Sequence, residues 1–312
     1  MPAVMDGRIT EALGISARCA ALADNLGAGE AAGRTAHLAN VMRGNVLALT
    51  GRVGEGRELL LSGHGALHGD WPLDEGQLAV HIAQGLSWSD REGTASEVFG
   101  AVIDKARRDG VPALLPYALT GRCEVASWNR WPTARADGAE AIRWALELGH
   151  RAMTGYALIL LARLDGLRGE RADCEERVTA YERCCGTNVR GLEIFAEGAL
   201  GSAALAAGDP HEARGHLDRA WRLAGDMGLA NPNLLPFLTE LAEAHVRAGT
   251  RERAAELADW LHEQAGSTGL AWPAAAHAQC RIMLAESADD ACGWLTAAEQ
   301  AHTCREMPFE SR

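Results

Sequence analysis

Apolar residues recur along this chain at intervals of three and four, and turn residues break the pattern at a nearly constant spacing. Over 152–168, Met153, Ala157, Leu160, Leu161 and Leu164 keep this period, and over 209–227 so do Ala213, Leu217, Ala220, Trp221 and Ala224. That is the period of one buried helix face. No stretch alternates with period two, so no strand is predicted. The breaks are Thr50-Gly51-Arg52, Asp90-Arg91-Glu92, Asn129-Arg130-Trp131-Pro132, Gly169-Glu170, Gly208-Asp209-Pro210, Gly249-Thr250-Arg251 and Ser287-Ala288-Asp289. Anchored at residues 51, 90, 129, 169, 208, 249 and 287, they lie 39, 39, 40, 39, 41 and 38 residues apart. The pattern predicts helix pairs split near these anchors, after an N-terminal helix over roughly 6–26.

Small residues mark where the two helices of each pair meet. Five positions past each anchor stand Gly56, Ala95, Ala134, Cys174, Ala213, Ala254 and Cys292. Seven positions before each stand Gly44, Ala83, Arg122, Ala162, Gly201, Ala242 and Cys280, with Cys123 beside the one large exception. Antiparallel helices approach closely only where neither presents a bulky side chain. Cys174 and Cys292 are therefore expected to act as small buried hydrophobes. Gly110, Gly149, Gly228 and Gly269 stand where second helices should end, and Asp209-Pro210 has the form of a helix start.

Two small sites 12 residues apart across a tight turn resemble those of the tetratricopeptide repeat, over residues 37–303, although the period is near 40 where the standard unit has about 34. The resemblance implies an all-α, right-handed superhelix of antiparallel helix pairs. It divides the chain into a packing helix in 1–30, repeats over 31–306 and the start of a further repeat in 307–312. Leu47-Ala-Leu-Thr-Gly-Arg-Val-Gly-Glu-Gly-Arg-Glu-Leu-Leu60 and Ala199-Leu-Gly-Ser-Ala-Ala-Leu-Ala-Ala-Gly-Asp-Pro210 are similar to stretches of the sensor segment of large ATP-binding LuxR-type transcriptional regulators. That resemblance implies a ligand- or partner-sensing segment without its ATPase and DNA-binding domains. The other reading of the repeats is a stand-alone adaptor that binds a peptide or helix in its concave groove.

Composition narrows the chemistry. A formal net charge of −12 argues against direct contact with nucleic acid. The only lysine is Lys105, so no Gly-Lys-Ser/Thr phosphate loop exists. The eight cysteines form no CxxC pair and read as reduced thiols. No signal peptide or membrane-spanning run is evident, which predicts a cytoplasmic protein without membrane contact. Arg8–Cys19 reads superficially as a helix-turn-helix, but lacks the basic side chains that phosphate contacts need, and a packing helix is preferred.

Histidine pairs such as Glu147 with His150 and His277 with Cys280 can share a helix face, yet none has a third partner near it in sequence. No metal site, cofactor or catalytic set is predicted, and the chain is read as a non-enzyme. Trp144, Trp221, Trp260 and Trp294 lie on second helices, where large aromatics pack against the next repeat. In stacked pairs the first helices line the concave surface. That rule places Gln84, Trp88, Glu124, Trp128, Tyr156, Arg163, Ser202, Glu243 and Arg247 towards the groove, with Trp88 and Trp128 as an aromatic floor and Glu124 and Arg163 as polar handles. The expected partner is a protein or small-molecule effector held there.

The last predicted pair is followed by no polar capping repeat, and an uncapped solenoid end exposes an apolar face. Self-association or fraying is expected at that end. Sedimentation velocity should show a concentration-dependent species; a strict monomer whose last pair is protected from hydrogen exchange would contradict this.

Overall fold

The computed structural model describes residues 7–25, 30–65, 73–186 and 189–303; the predicted further repeat at 307–312 lies outside them. The described residues form fifteen α-helices, two single 3-10 turns and no strand. A lone helix, α1 (Ile9–Asp24), is followed by seven pairs: α2 (Glu30–Leu49) with α3 (Val53–Gly65), α4 (Leu73–Ser87) with α5 (Glu92–Arg108), α6 (Leu115–Ala126) with α7 (Trp131–Glu147), and α8 (Arg151–Leu167) with α9 (Arg171–Cys185). The stack continues with α10 (Arg190–Ala206) and α11 (Pro210–Met227), α12 (Leu238–Arg247) and α13 (Arg251–Thr268), then α14 (Ala271–Leu284) and α15 (Ala288–Thr303). All seven anchors read from the sequence fall at the junctions within these pairs. Asp209 caps α11 through the backbone N–H groups of His211 and Glu212, and Gly228 ends that helix in the left-handed region at φ 75°.

The small residues meet as their spacing requires. Ala83, Ala95, Ala134, Ala162, Cys174, Ala213, Ala242, Ala254 and Cys280 are all fully shielded from solvent. Arg122 breaks the rule because its guanidinium turns aside into a bidentate pair with Asp137, both bonds 2.7 Å, while Cys123 is buried in its place. Cys292 corrects the expectation: it is exposed, because α15 packs chiefly on α14 and its other side meets no following pair among the described residues. Phe99, Ile103 and Leu119 belong to one buried apolar cluster, Ile159 to a second, and Leu217 and Leu261 to a third. Trp221 and Trp260 meet edge to face across neighbouring second helices, with ring centroids 4.9 Å apart.

The stack also curls until its first two pairs touch the stretch between the fifth and sixth. After α11, the backbone N–H groups of Ala230 and Asn231 both donate to the Leu49 carbonyl at the end of α2, at 3.0 and 3.2 Å. The Asn231 side-chain amide donates to the Trp88 carbonyl at 3.0 Å, and that of Asn233 to the Asp90 carboxylate at 2.8 Å. The second Asp90 oxygen accepts the Ala271 N–H, at 2.8 Å, where α14 starts. Asp90 holds φ 56°, the only described non-glycine residue with positive φ. Its partners offset the cost of a left-handed backbone, of order 1 kcal/mol.

Backbone meets backbone within a pair at Gly44 and Gly56: a Cβ on Gly56 would stand 2.6 Å from the Gly44 carbonyl oxygen. Backbone cannot yield as a side chain can. Gly56→Ala should therefore destabilise the protein by about 1–3 kcal/mol, even though alanine is the better helix former by about 1 kcal/mol. Urea unfolding checks the sign, and a stabilised variant would refute the close contact.

Candidate functional site

The first helices face inward, and closure of the stack turns their concave surface into a cavity of about 520 Å³. Each helix contributes one stripe. α4 supplies Val80, His81, Gln84 and Trp88; α6 supplies Tyr117 and Thr120; α8 supplies Arg151 to Met153 and Tyr156; α10 supplies Leu192, Ile194 and Phe195. Within these stripes His81, Gln84 and Trp88 lie three and four residues apart, and Tyr117 and Thr120, Met153 and Tyr156, and Leu192 and Phe195 each lie three apart, as helical geometry demands of side chains on one face. Ile9, Leu49, Met227, Leu229 and Leu234 complete the wall. These last residues reach the cavity only because the segment after α11 is hydrogen-bonded to the ends of α2 and α4.

One carboxylate organises the wall. Glu124 Oε2 accepts from the Gln84 amide at 2.5 Å and the Tyr156 hydroxyl at 2.6 Å, while Oε1 accepts from the Trp88 indole N–H at 2.9 Å. Burial pushes this carboxyl above its ordinary range, and the three donors pull it partly back. Tyr156 is driven well above its usual value, first by burial and then by the neighbouring negative charge. Four of the residues placed in the groove from the sequence thus come together. Three of them, Gln84, Trp88 and Tyr156, line the cavity with Glu124 tying them from behind.

The others are distributed differently. Trp128 stands beside Glu124 and Trp88 in a separate small recess and packs edge to face on Trp272, with centroids 6.2 Å apart. Arg163 donates to Glu240 at 3.0 Å and to the Ser202 hydroxyl at 3.3 Å, forming a second polar node across α8, α10 and α12. Glu243 and Arg247 pair with each other at 3.1 Å on an exposed face of α12.

The sequence reading missed several wall residues. His81, Tyr117, Met153 and Phe195 were within reach of it, since they continue the stripes of Gln84, Glu124, Tyr156 and Ser202 by three or seven residues. Ile9, Leu49, Leu229 and Leu234 carry no such local signal, because only closure of the stack brings them in.

The chain superposes on a Rap protein. That protein, in its crystal structure complexed with competence and sporulation factor, matches with a TM-score of 0.67 and 10% sequence identity, over 99% of this chain and 87% of the other. At this identity the likeness concerns the fold, a helical-repeat solenoid. No protein-family model and no curated protein matches the sequence.

His81 carries a measurable signature of the closed wall. Burial lowers its pKa from the usual 6.5 to about 4. Above pH 6.5 the ring is neutral whether the chain is folded or not. As pH falls from 6.5 to 4, the unfolded ring takes a proton that the folded one refuses, so stability is lost across that window. The gap is worth roughly 3 kcal/mol. The urea midpoint should thus drop less in His81→Gln than in the parent over this range, and parallel profiles would mean the ring is not buried as described.

Proposed function

We propose that this chain is a sensing module that holds an effector in the cavity lined by its first helices and converts occupancy into a change in the curl of the stack. The supporting observation is the route from wall to clasp. Trp88 presents its ring to the cavity, its indole N–H to Glu124 and its carbonyl to Asn231, so a ligand that displaces it pulls on the bond closing the superhelix. A cavity of this size and mostly apolar character suits a small molecule or a few apolar side chains of a peptide. Solenoids carry such signals well, because small rotations between neighbours add along the stack.

The LuxR-type context rests on the two phrases at 47–60 and 199–210, and it is proposed on those alone. A Walker motif encoded upstream and a helix-turn-helix downstream in the same reading frame would support it. The adaptor reading has its own support, since the Rap protein of similar fold is complexed with competence and sporulation factor. Under that reading the same inner face takes a protein or peptide partner.

Both readings place the ligand at one site, and filling that site tests them. Ala152→Trp puts an indole into the wall. A ligand present at about a hundredfold over its Kd should stabilise the parent by about 2.7 kcal/mol and leave the variant unshifted in thermal unfolding. Equal shifts in both would move binding elsewhere and sink the cavity as the sensing site.

A further inference from the structure

The cavity has two unlike ends. The first helices run parallel to one another, so their starts gather at one end and their finishes at the other. At the finishing end, Leu49, Leu229 and Leu234 form an apolar floor against the closing segment. At the starting end stand Tyr117, His150 and Arg151, with the Tyr117 and His150 rings edge to face at 5.5 Å. Arg151 is exposed at this rim. From Val80 to Trp88 along α4 the wall runs about 12 Å, at roughly 1.5 Å per residue.

Charge distinguishes the ends further. In a chain with 42 acidic and 30 basic residues, no carboxylate lines the cavity among the described residues, and Arg151 is its only permanently charged side chain. The partly buried arginines Arg122, Arg135, Arg163 and Arg177 pair with carboxylates. Arg151 instead donates its Nε to the Cys184 backbone carbonyl at 2.6 Å, with no carboxylate partner among the described residues. The carbonyl fixes the side chain and leaves its charge uncompensated. His81, deeper in the wall, stays neutral at physiological pH and offers no competing charge. The first turn of α8, from Arg151 to Met153, also borders the cavity and has no side-chain cap, so its positive end reinforces the guanidinium.

We propose that the effector is an amphiphile with a single anionic head, of the medium-chain carboxylate type, with its head at Arg151 and its apolar body on the floor of Leu49, Leu229 and Leu234. A cationic head would meet Arg151 with no carboxylate to receive it, and a dianion would bring more charge than one guanidinium balances. The inference rests on the cavity being the sensing site, and it specifies what that site accepts.

Calorimetric titration of the full chain below micelle-forming concentrations tests it with three probes of equal tail: decanoate, decanol and decyltrimethylammonium. Decanoate should bind most tightly and the cation least. Arg151→Gln should weaken decanoate by about tenfold or more while leaving decanol unchanged, as expected for loss of a charge-assisted hydrogen bond. Arg151→Lys should restore part of the preference, and an unchanged thermal midpoint shows that the Cys184 contact is not the cause. If decanoate and decanol bind alike and Arg151→Gln changes neither, the anionic head is refuted while the apolar cavity stands. If none of the three binds, or if Ala152→Trp binds decanoate as the parent does, the amphiphile is refuted; only the second result also removes the cavity as the site.

Discussion

The carbonyls of Leu49 and Trp88, at the ends of α2 and α4, have no acceptor role left within their own helices, and residues 230–233 satisfy them from across the superhelix. A helix end must find donors in water, in a cap or in another segment. Here the third solution determines the shape of the molecule. Without it the stack would be an open array in which each pair touches only its neighbours. With it, pairs one and two are bonded to the stretch between pairs five and six, and Asp90 extends the bond to the start of α14. The cavity is a by-product of that closure, since much of its floor comes from the two segments that meet there.

The pairing of helices was legible from the sequence because it is local. A turn, a small residue before it and a small residue after it lie within a dozen positions, and each carries its own steric reason. Arg122 shows that the rule has slack, since the adjacent Cys123 takes its place once Asp137 gives the guanidinium a partner. The groove was half legible: Gln84, Trp88, Glu124 and Tyr156 come together as placed, whereas Trp128, just past the end of α6, and Glu243, on α12, turn elsewhere. Curvature decides which part of each first helix faces the centre, and curvature is a sum over many small inter-pair rotations that no single window of sequence displays. The floor was not legible at all, since nothing near Leu229 or Leu234 marks them as neighbours of Leu49.

The treatment of charge follows from the same architecture. Carboxylates outnumber basic groups, yet three of those inside are held by named donors: Asp165 by Arg135 and Arg177, Asp137 by Arg122, and Glu124 by three neutral groups. A buried carboxylate without partners would cost several kcal/mol. Glu124 differs from the other two in having no cation, which leaves its hydrogen bonds sensitive to the exact placement of Gln84, Trp88 and Tyr156. The carboxylate behind the wall thus reports the position of the very side chains a ligand would move.

The bonds of Asp90 reach residues 233 and 271, and this separation has a consequence for how the protein comes into being on the ribosome. At about 5–20 residues per second, α14 emerges roughly 10–40 s after Asp90 has left the exit tunnel. Until residues 230–233 emerge within that interval, the first pairs can form from local contacts, but the inner faces of α2 and α4 stay uncovered and the ring cannot shut. The newborn chain therefore spends its early life as an open arc with an apolar lining on display, and whatever shields that lining during synthesis does so before the last pairs exist.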